Sequence, residues 1–394
     1  MHIQKTEILN HIKEINMTSI QAFKPFLQEA WNKLDFKDFS EIQKQAIPKI
    51  FDKVDVIGEA PTGSGKTLAY LLPVLNDLDL DLKKAQCIIL APSRELAMQV
   101  NQVVQAFTQN TTIKSASFIG GADIKRQIKK LKEHPQVVVG TPNRILELIQ
   151  MKKLKVHEVK RIVIDEADQM LEEKFFEEIE GIANATLKDR QLLFFSATLS
   201  PETVEKAKEL SNNPELVNVT NDRSTRNLKH TYFVSNRGDK PDLLRKIIKS
   251  ENAKALVFIN NASFIPRLAE RLTEKRVNAG ILEGGSKKTE RAATLQNFRN
   301  GKINVLLATD VAARGLDIAE LTHVVQYDVP EKPEKYTHRA GRTGRMGKEG
   351  TVVTLVTPEE EKHLLKLGKE LNLPLSKEKW PNHQARTTDK RKKK

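Results

Sequence analysis

One stretch of the chain combines the residue types that bind phosphate groups. Ala60-Pro61-Thr62-Gly63-Ser64-Gly65-Lys66-Thr67 follows a short apolar run at 54–57 and precedes an apolar segment at 68–75. A strand, a loop of small residues ending in Gly-Lys-Thr and a helix form a phosphate-binding loop, whose backbone N–H groups bind phosphate oxygens. In this pattern Lys66 reaches the β- and γ-phosphates and Thr67 ligates Mg²⁺. The alternative is an ordinary turn that contains two glycines, which the strand–loop–helix setting disfavours.

A second stretch supplies carboxylates. The apolar run Arg161–Ile164 ends in Asp165-Glu166-Ala167-Asp168. A strand that delivers adjacent carboxylates beside a phosphate-binding loop predicts a nucleotide-hydrolysing site: Asp165 would hold Mg²⁺, through water, and Glu166 would orient or deprotonate the attacking water. Taken alone, these acidic residues could instead cap a helix N-terminus, where the dipole favours negative charge. The phosphate loop in the same domain favours the catalytic interpretation.

These residues need a scaffold whose strand ends converge. Short runs rich in Val, Ile and Leu alternate with amphipathic segments in both halves of the chain. The runs are Cys87–Leu90, Ser115–Ile119, Val137–Val139, Arg161–Ile164 and Leu192–Phe195, then Thr231–Val234, Leu256–Ile259, Ala279–Leu282, Val305–Ala308, His323–Tyr327 and Thr351–Thr357. Buried parallel strands separated by helices predict a doubly wound α/β fold, with ligands bound at the carboxyl ends of the strands. The polar stretch at 220–227 predicts a linker between two similar halves, of which only the first has a phosphate loop.

Composition limits the class of protein. The 394 residues are enough for two or three domains, and 39% apolar with 29% charged residues is typical of a globular chain. The net charge of +14, from 65 basic and 51 acidic residues, favours a polyanionic partner, although surplus lysine also serves solubility. No stretch approaches the ~18 apolar residues of a membrane span, and no signal-peptide core is present, so we predict a cytoplasmic protein. Cys87, the single cysteine, lies in an apolar run and is predicted to be buried and unpaired.

Three segments lie outside the alternating pattern. Residues 1–20 have apolar residues at helical spacing, which predicts an amphipathic helix that docks on the neighbouring domain; a membrane-surface role is the alternative. Residues 24–52 predict two helices, the second of them capped by Ser40. Residues 373–394 are polar and basic, which predicts a disordered tail that tethers RNA loosely.

Together with further short motifs, these stretches make the chain similar to the DEAD-box ATP-dependent RNA helicases, of the compact bacterial type. The likeness covers about residues 23–370, and some ten motifs occur in the family's order. It implies two tandem RecA-like domains with ATP and RNA bound across the cleft. The implied boundaries are an ATP-binding domain at 1–220, a linker at 221–228, a helicase domain at 229–372 and the basic tail at 373–394.

The resemblance assigns further residues to ATP. Adenine would be read by Phe36, Ser40 and Gln43, whose amide can donate and accept at the base edge. Asp35 and Phe39 stand where the family usually has Gly and Pro, and Thr18 where it usually has a stacking aromatic residue. Nucleotide contacts would also come from Gly315 and Asp317, and Arg342 and Arg345 are the expected arginine fingers on the γ-phosphoryl group. The residues implied to couple hydrolysis to RNA release are Asp168, Ser196 and Thr198.

The RNA contacts implied by the resemblance are hydroxyls, backbone N–H groups and arginines, which position a strand without reading its sequence. They are Pro92, Arg94, Gly120, Gly121, Thr141, Arg144, Arg291 and Thr309. Among the RNA-contact motifs, three positions depart from the family: Ser93 stands for Thr, Asn143 for Gly and Lys288 for Gln.

The implied activity is RNA-stimulated ATP hydrolysis coupled to domain closure and local, largely sequence-independent destabilisation of RNA duplexes, by a monomer. Likeness to compact bacterial relatives suggests a role in ribosome assembly, by analogy alone. An ATP-dependent RNA clamp with little unwinding is the alternative. A DNA translocase is disfavoured by Asp165–Asp168 and Ser196-Ala197-Thr198 together.

Overall fold

The computed structural model describes residues 19–219, 228–251, 253–282, 288–313, 321–344 and 349–379. They form two compact units, the first built from residues 19–219 and the second from nearly all the described residues after 228. In the described ranges, no helix is both long and apolar enough to cross a membrane.

The first unit is built on a seven-stranded sheet in which every pair of neighbouring strands is parallel. Its strands are β1 Val56–Glu59, β2 Cys87–Leu90, β3 Ser115–Phe118, β4 Val137–Gly140, β5 Arg161–Asp165, β6 Gln191–Ser196 and β7 Glu215–Asn218, in the order β3-β4-β2-β5-β6-β1-β7. Strands β2, β4, β5 and β6 are buried along their whole length, as expected for a sheet covered on both faces.

Nine helices connect or precede these strands in the described part of the first unit. They are α1 Pro25–Lys33, α2 Glu41–Phe51, α3 Lys66–Asn76, α4 Arg94–Thr108, α5 Ile124–Leu131, α6 Pro142–Gln150, α7 Ala167–Met170, α8 Glu173–Ala185 and α9 Pro201–Leu210, with a 3₁₀ turn at Ile20–Ala22. Ser93 and Ser200 cap α4 and α9 by accepting bonds from Leu96 N and Thr203 N. The sheet has a hydrophobic core on each face, because alternate residues such as Val163 and Ile164 point to opposite sides.

The second unit repeats this plan. Its strands are β8 Leu228–Val234, β9 Ala255–Phe258, β10 Ala279–Leu282, β11 Val305–Ala308, β12 His323–Gln326, β13 Gly350–Val356 and β14 Ser376–Glu378. They are all parallel, in the order β10-β11-β9-β12-β13-β8-β14, which matches the first sheet strand for strand. The helices are α10 Lys240–Ser250, α11 Ile265–Glu274, α12 Lys288–Arg299, α13 Asp310–Ala313, α14 Pro333–Ala340 and α15 Pro358–Glu370, with a 3₁₀ turn at Ala262–Phe264.

All eleven apolar runs that were predicted to be strands, in both halves of the chain, form strands in the structure, and their ends are shifted by a few residues at most. The two helices expected within 24–52 are α1 and α2, Ser40 is the N-cap of α2, and Cys87 is buried and free. The disordered tail expected from residue 373 is wrong for Ser376–Glu378, which pair with β8 as an edge strand. Most of the helix expected at 1–20 (residues 1–18), most of the linker and residues 380–394 lie outside the described residues.

Candidate active site

The phosphate loop connects β1 to α3. Gly63 and Gly65 adopt φ values of +82° and +92°, a left-handed conformation that glycine adopts without steric cost. Lys66, the first residue of α3, is buried, and its Nζ donates to Ala60 O at 2.5 Å and to Pro61 O at 3.0 Å. The loop therefore holds its own lysine at the N-terminus of the helix. A phosphate group is favoured at this position, where the residues Pro61–Thr67 would surround it.

Helix α2 is bonded directly to this loop. The Gln43 amide accepts from Ser40 N at 3.0 Å and donates to Gly65 O at 3.1 Å. A Cβ atom at Gly65 would lie 2.5 Å from the amide nitrogen of Gln43 and 2.9 Å from Ser40 Oγ. These two bonds use one N–H and one lone pair of the Gln43 amide, which leaves a second donor and acceptor. Phe36 is 37% exposed and lies against Trp31, with ring centroids 4.9 Å apart.

The acidic motif begins at the carboxyl end of β5. Asp165 is buried and accepts hydrogen bonds from Tyr70 OH at 2.8 Å and from Glu166 N at 3.0 Å. Burial and the neighbouring Glu166 charge raise the pKa of Asp165 to about 6. Glu166 itself has a φ of +54°, a sparsely populated conformation that costs on the order of 1–3 kcal/mol outside glycine and is common at functional sites.

Side chains at the end of β6 bond to the acidic motif. Thr198 Oγ1 donates to Asp168 Oδ2 at 3.1 Å, and Asp168 N donates to Ser196 Oγ at 3.4 Å. The structure thus brings together the three residues assigned to coupling. Glu59, at the end of β1, was not assigned a role from the sequence. It accepts bonds from Leu199 N at 3.1 Å and Asn218 Nδ2 at 2.7 Å, which connects the strand before the phosphate loop to the segment after Thr198.

The RNA-contact motifs of the first unit also lie at carboxyl ends of strands. Pro92 precedes α4, and the exposed Arg94 guanidinium lies over Gly121, where a Cβ atom would be 2.3 Å from an Nη atom. Gly121 has a φ of +70°. Gly120 N donates to Thr141 Oγ1 at 3.3 Å. Glycine at residue 121 therefore allows the guanidinium to lie directly against the backbone.

The Arg144 side chain makes its polar contacts within the protein. Its side chain is 10% exposed, its Nη1 donates to Ala122 O at 3.2 Å, and its Nε lies 2.8 Å from Glu147 Oε2. In this arrangement Arg144 holds the loop after Gly121 in place.

The second unit contains three of the assigned residues within its described part. Arg291 Nη2 donates to Ala312 O at 2.6 Å, and Thr309 Oγ1 accepts from Ala312 N at 3.3 Å, so both fix the short helix α13. Arg342 follows α14 and is half-buried. Gly315, Asp317 and Arg345 lie outside the described residues, as does the side chain of Lys288.

Arg339 is the residue of this unit that sequence reasoning missed. Its side chain is 1% exposed and makes a two-pronged pair with Asp310, at 2.6 Å from Nε and 2.8 Å from Nη2. It also donates to Asn260 Oδ1 at 2.6 Å and to Asp328 O at 2.9 Å, and its guanidinium lies 5.1 Å from the centre of the Phe258 ring. The signal was present in the sequence as an arginine three residues before Arg342, but its partners are distant along the chain.

The two sheets and the phosphate loop define the class of protein: a P-loop nucleotide hydrolase with tandem RecA-like domains. The sequence profile of the DEAD/DEAH box helicase domain matches residues 40–207, and that of the helicase conserved C-terminal domain matches residues 239–347.

Individual relatives agree with these profiles. The chain is 49% identical over 359 residues to the DEAD-box ATP-dependent RNA helicase CshC of Bacillus cereus, covering 91% of this chain and 92% of the relative. It is 46% identical to the probable ATP-dependent RNA helicase YfmL of Bacillus subtilis, covering 89% and 93% of the two chains. The solved structure of S. cerevisiae Dbp5 bound to RNA and ADP BeF3 superimposes with a TM-score of 0.83 at 29% identity, covering 92% of this chain and 95% of that one. The chain belongs to the DEAD-box ATP-dependent RNA helicase family, and it is an ATP-hydrolysing RNA helicase.

Proposed function

We propose that the first domain, residues 1–220, binds ATP on the phosphate loop and carries the groups that hydrolyse it. The observation that supports this most directly is the convergence of Lys66 with Asp165 and Glu166 at the carboxyl ends of β1 and β5. Lys66 would bind the β- and γ-phosphates in place of the loop carbonyls that it now contacts. Gln43, bonded to Gly65 O, would present its remaining donor and acceptor to adenine, beside Phe36 and Ser40.

The residues present fit a magnesium ion. Asp165 is a buried carboxylate whose pKa is raised by burial and by the neighbouring Glu166 charge, and a bound cation would offset both effects. Buried carboxylates are paired or bind metals, and Mg²⁺ prefers oxygen ligands and keeps several of its waters. Thr67 and Asp165 would hold the ion, which would neutralise charge on the phosphates.

Hydrolysis needs a water molecule aligned with the γ-phosphoryl group. We assign Glu166 to orienting or deprotonating this water, because its left-handed backbone turns the residue away from the line of β5. Arg342 and Arg345 of the second domain, residues 229–372, would stabilise the charge that develops on the phosphoryl oxygens, and Gly315 and Asp317 would contact the nucleotide.

RNA binding is assigned to the backbone-directed contacts of both domains. In the first domain these are Pro92, Arg94, Gly120, Gly121 and Thr141, with Arg144 in a supporting position. In the second they are Thr309 and Arg291. Such contacts give little sequence preference and an affinity that falls steeply with salt. The bonded set of Asp168, Ser196 and Thr198 would couple hydrolysis to RNA release.

Two finer assignments extend the family's activity. We infer a cytoplasmic monomer that remodels RNA in ribosome assembly, supported by likeness to compact bacterial relatives. An ATP-dependent RNA clamp is the second candidate, since gripping RNA needs the same contacts. Strand displacement on short duplexes distinguishes the two, because a clamp would hydrolyse ATP without opening them. Crosslinking RNA to the protein in cells would identify its natural target.

The decisive variant is Glu166→Gln. It keeps the size of the side chain but removes the carboxylate, so RNA-stimulated ATP turnover should fall by at least about 100-fold, within the range that a general base contributes. Binding of a fluorescent ATP analogue should stay within about twofold of the unaltered protein.

The matched control is Glu177→Gln, which makes the same change at an exposed position of α8 and should leave turnover unaffected. RNA-stimulated hydrolysis by the Glu166→Gln protein at a near-normal rate would reject the assignment.

A further inference from the structure

Helix α5 carries a concentration of positive charge that the proposed RNA contacts do not include. Lys125, Arg126, Lys129 and Lys130 lie on it and Lys132 follows it, and all five are exposed. The acidic residues nearby in sequence are Asp123 and Glu133. Of these five cations, only Arg126 forms an ion pair within the described part of the chain, at 3.8 Å from Asp123, and both side chains of that pair are mostly exposed. The helix therefore presents a strongly basic surface to solvent.

This helix is fixed to the loop that holds the glycine pair. Gln127 is 5% exposed; its amide accepts from Ile119 N at 3.1 Å and donates to Ile119 O at 3.0 Å. The apolar side chains Ile124, Ile128 and Leu131 pack against the core on the opposite side of the helix. The hydrogen bonds of Gln127 therefore fix the position of α5 next to Gly120 and Gly121. Because the apolar face of the helix packs on the core, its basic face points to solvent.

Helix stability does not account for the position of all these charges. Cations near a helix C-terminus interact favourably with the dipole, which explains Lys129, Lys130 and Lys132. Lys125 and Arg126 lie in the first turn, where the same dipole disfavours positive charge. A polyanion bound along the helix would provide the missing favourable interaction.

We infer that α5 is a second RNA-backbone contact, which binds RNA that extends beyond the strip formed by Arg94, Gly120 and Gly121. This inference rests on the proposed function, because it takes that strip as the place where RNA enters. Lys125 and Lys129 lie one turn apart on one stripe of the helix, and Arg126 and Lys130 form a second stripe beside it, so these four cations span about 8 Å along the helix at 1.5 Å per residue. Flexible lysines that point outward suit phosphate oxygens of any sequence.

The test variant combines Lys125→Gln, Arg126→Gln and Lys129→Gln. The matched control combines Lys152→Gln, Lys153→Gln and Lys155→Gln, which removes the same charge from exposed residues between α6 and β5, at the amino ends of the strands. Dissociation constants for oligouridylates of increasing length are measured by fluorescence anisotropy with a non-hydrolysable ATP analogue.

Each contact with a single-strand phosphate contributes about 0.7 to the salt slope, so three lost contacts lower it by about 2. The test variant should bind long oligouridylates about 30-fold more weakly near 50 mM salt and about twofold more weakly near 200 mM. The shortest oligouridylate that stimulates hydrolysis should bind as before. The control should match the unaltered protein, and the melting temperature of the test variant should not fall, because two of its changes relieve the unfavourable dipole interaction.

Equal losses in test and control, or no loss in either, would overturn the inference. ATP turnover of both proteins, measured over a series of subsaturating concentrations of long oligouridylate, separates this outcome from failure of the proposed function. If RNA stimulates the unaltered protein and the test variant equally, at equal RNA concentrations, only the role of α5 is lost. If RNA does not stimulate the unaltered protein, the proposed function itself fails.

Discussion

The prediction that depends most directly on the structure concerns Arg339. Its guanidinium is almost completely buried and donates to three groups on separate segments: the Asp310 carboxylate, Asn260 Oδ1 and Asp328 O. Replacing it in Arg339→Leu removes four hydrogen bonds and leaves these acceptors without their donor. The second domain should therefore lose stability while the first domain keeps it.

The size of this loss follows from the burial of the partners. Breaking a buried ion pair by removing one member costs about 3–5 kcal/mol, because the other charge stays buried and uncompensated. The Asp310 side chain is 25% exposed and can regain some water, so we expect the lower end, about 3 kcal/mol. The double variant Arg339→Leu with Asp310→Asn removes the uncompensated charge and should be about 1–2 kcal/mol more stable than the sum of the single changes.

Hydrogen exchange measured by mass spectrometry in increasing urea can follow the two domains of the full chain separately. Peptides from β9–β13 should lose protection at lower urea in Arg339→Leu, and peptides from β1–β6 should serve as an internal control. Arg267→Leu, at an exposed position of α11, should leave both sets unchanged. A loss below about 1 kcal/mol in the second domain, or an equal loss in the first, would refute the reasoning.

Two further predictions concern pH and the phosphate loop. Burial lowers the pKa of His230 to about 4, so His230 stays neutral in the folded protein but becomes protonated near pH 6.5 in the unfolded chain. The stability of the second domain should therefore fall as the pH drops from 6.5 towards 4, by about 3 kcal/mol in total. Urea unfolding at several pH values should show a flatter dependence for His230→Leu. Gly65→Ala should reduce affinity for a fluorescent ATP analogue more than about 10-fold, because its Cβ would clash with Gln43 and alanine disfavours a φ of +92°, whereas Gly238→Ala, with open space around its Cβ, should bind normally. Normal ATP binding by the Gly65→Ala protein, or an unaltered pH dependence in the His230→Leu protein, would count against the respective explanation.

Residues close together in sequence determined most of the fold. The run Arg161–Asp165 is recognisable as a buried strand because its three central residues are all apolar. Both faces of a parallel sheet are covered, so each of these side chains is buried. The phosphate loop and the capping serine of α2 are likewise local patterns, whose bonds span only a few residues. The last strand of each sheet, β7 and β14, gave no such signal: in Glu215–Asn218 only Val217 is buried, so no apolar run marks β7.

The sequence by itself determined which residues could bind phosphate and supply carboxylates, because those patterns lie within single strand–loop–helix segments. Only the tertiary structure decided which distant groups meet. Glu59 contacts Leu199 and Asn218, Gln127 joins a basic helix to the glycine pair, and Arg339 gathers Asn260, Asp310 and Asp328. Buried polar groups need partners wherever the fold can bring them, and the order of strands in a sheet, which places those partners, is not visible in the spacing of residues along the chain.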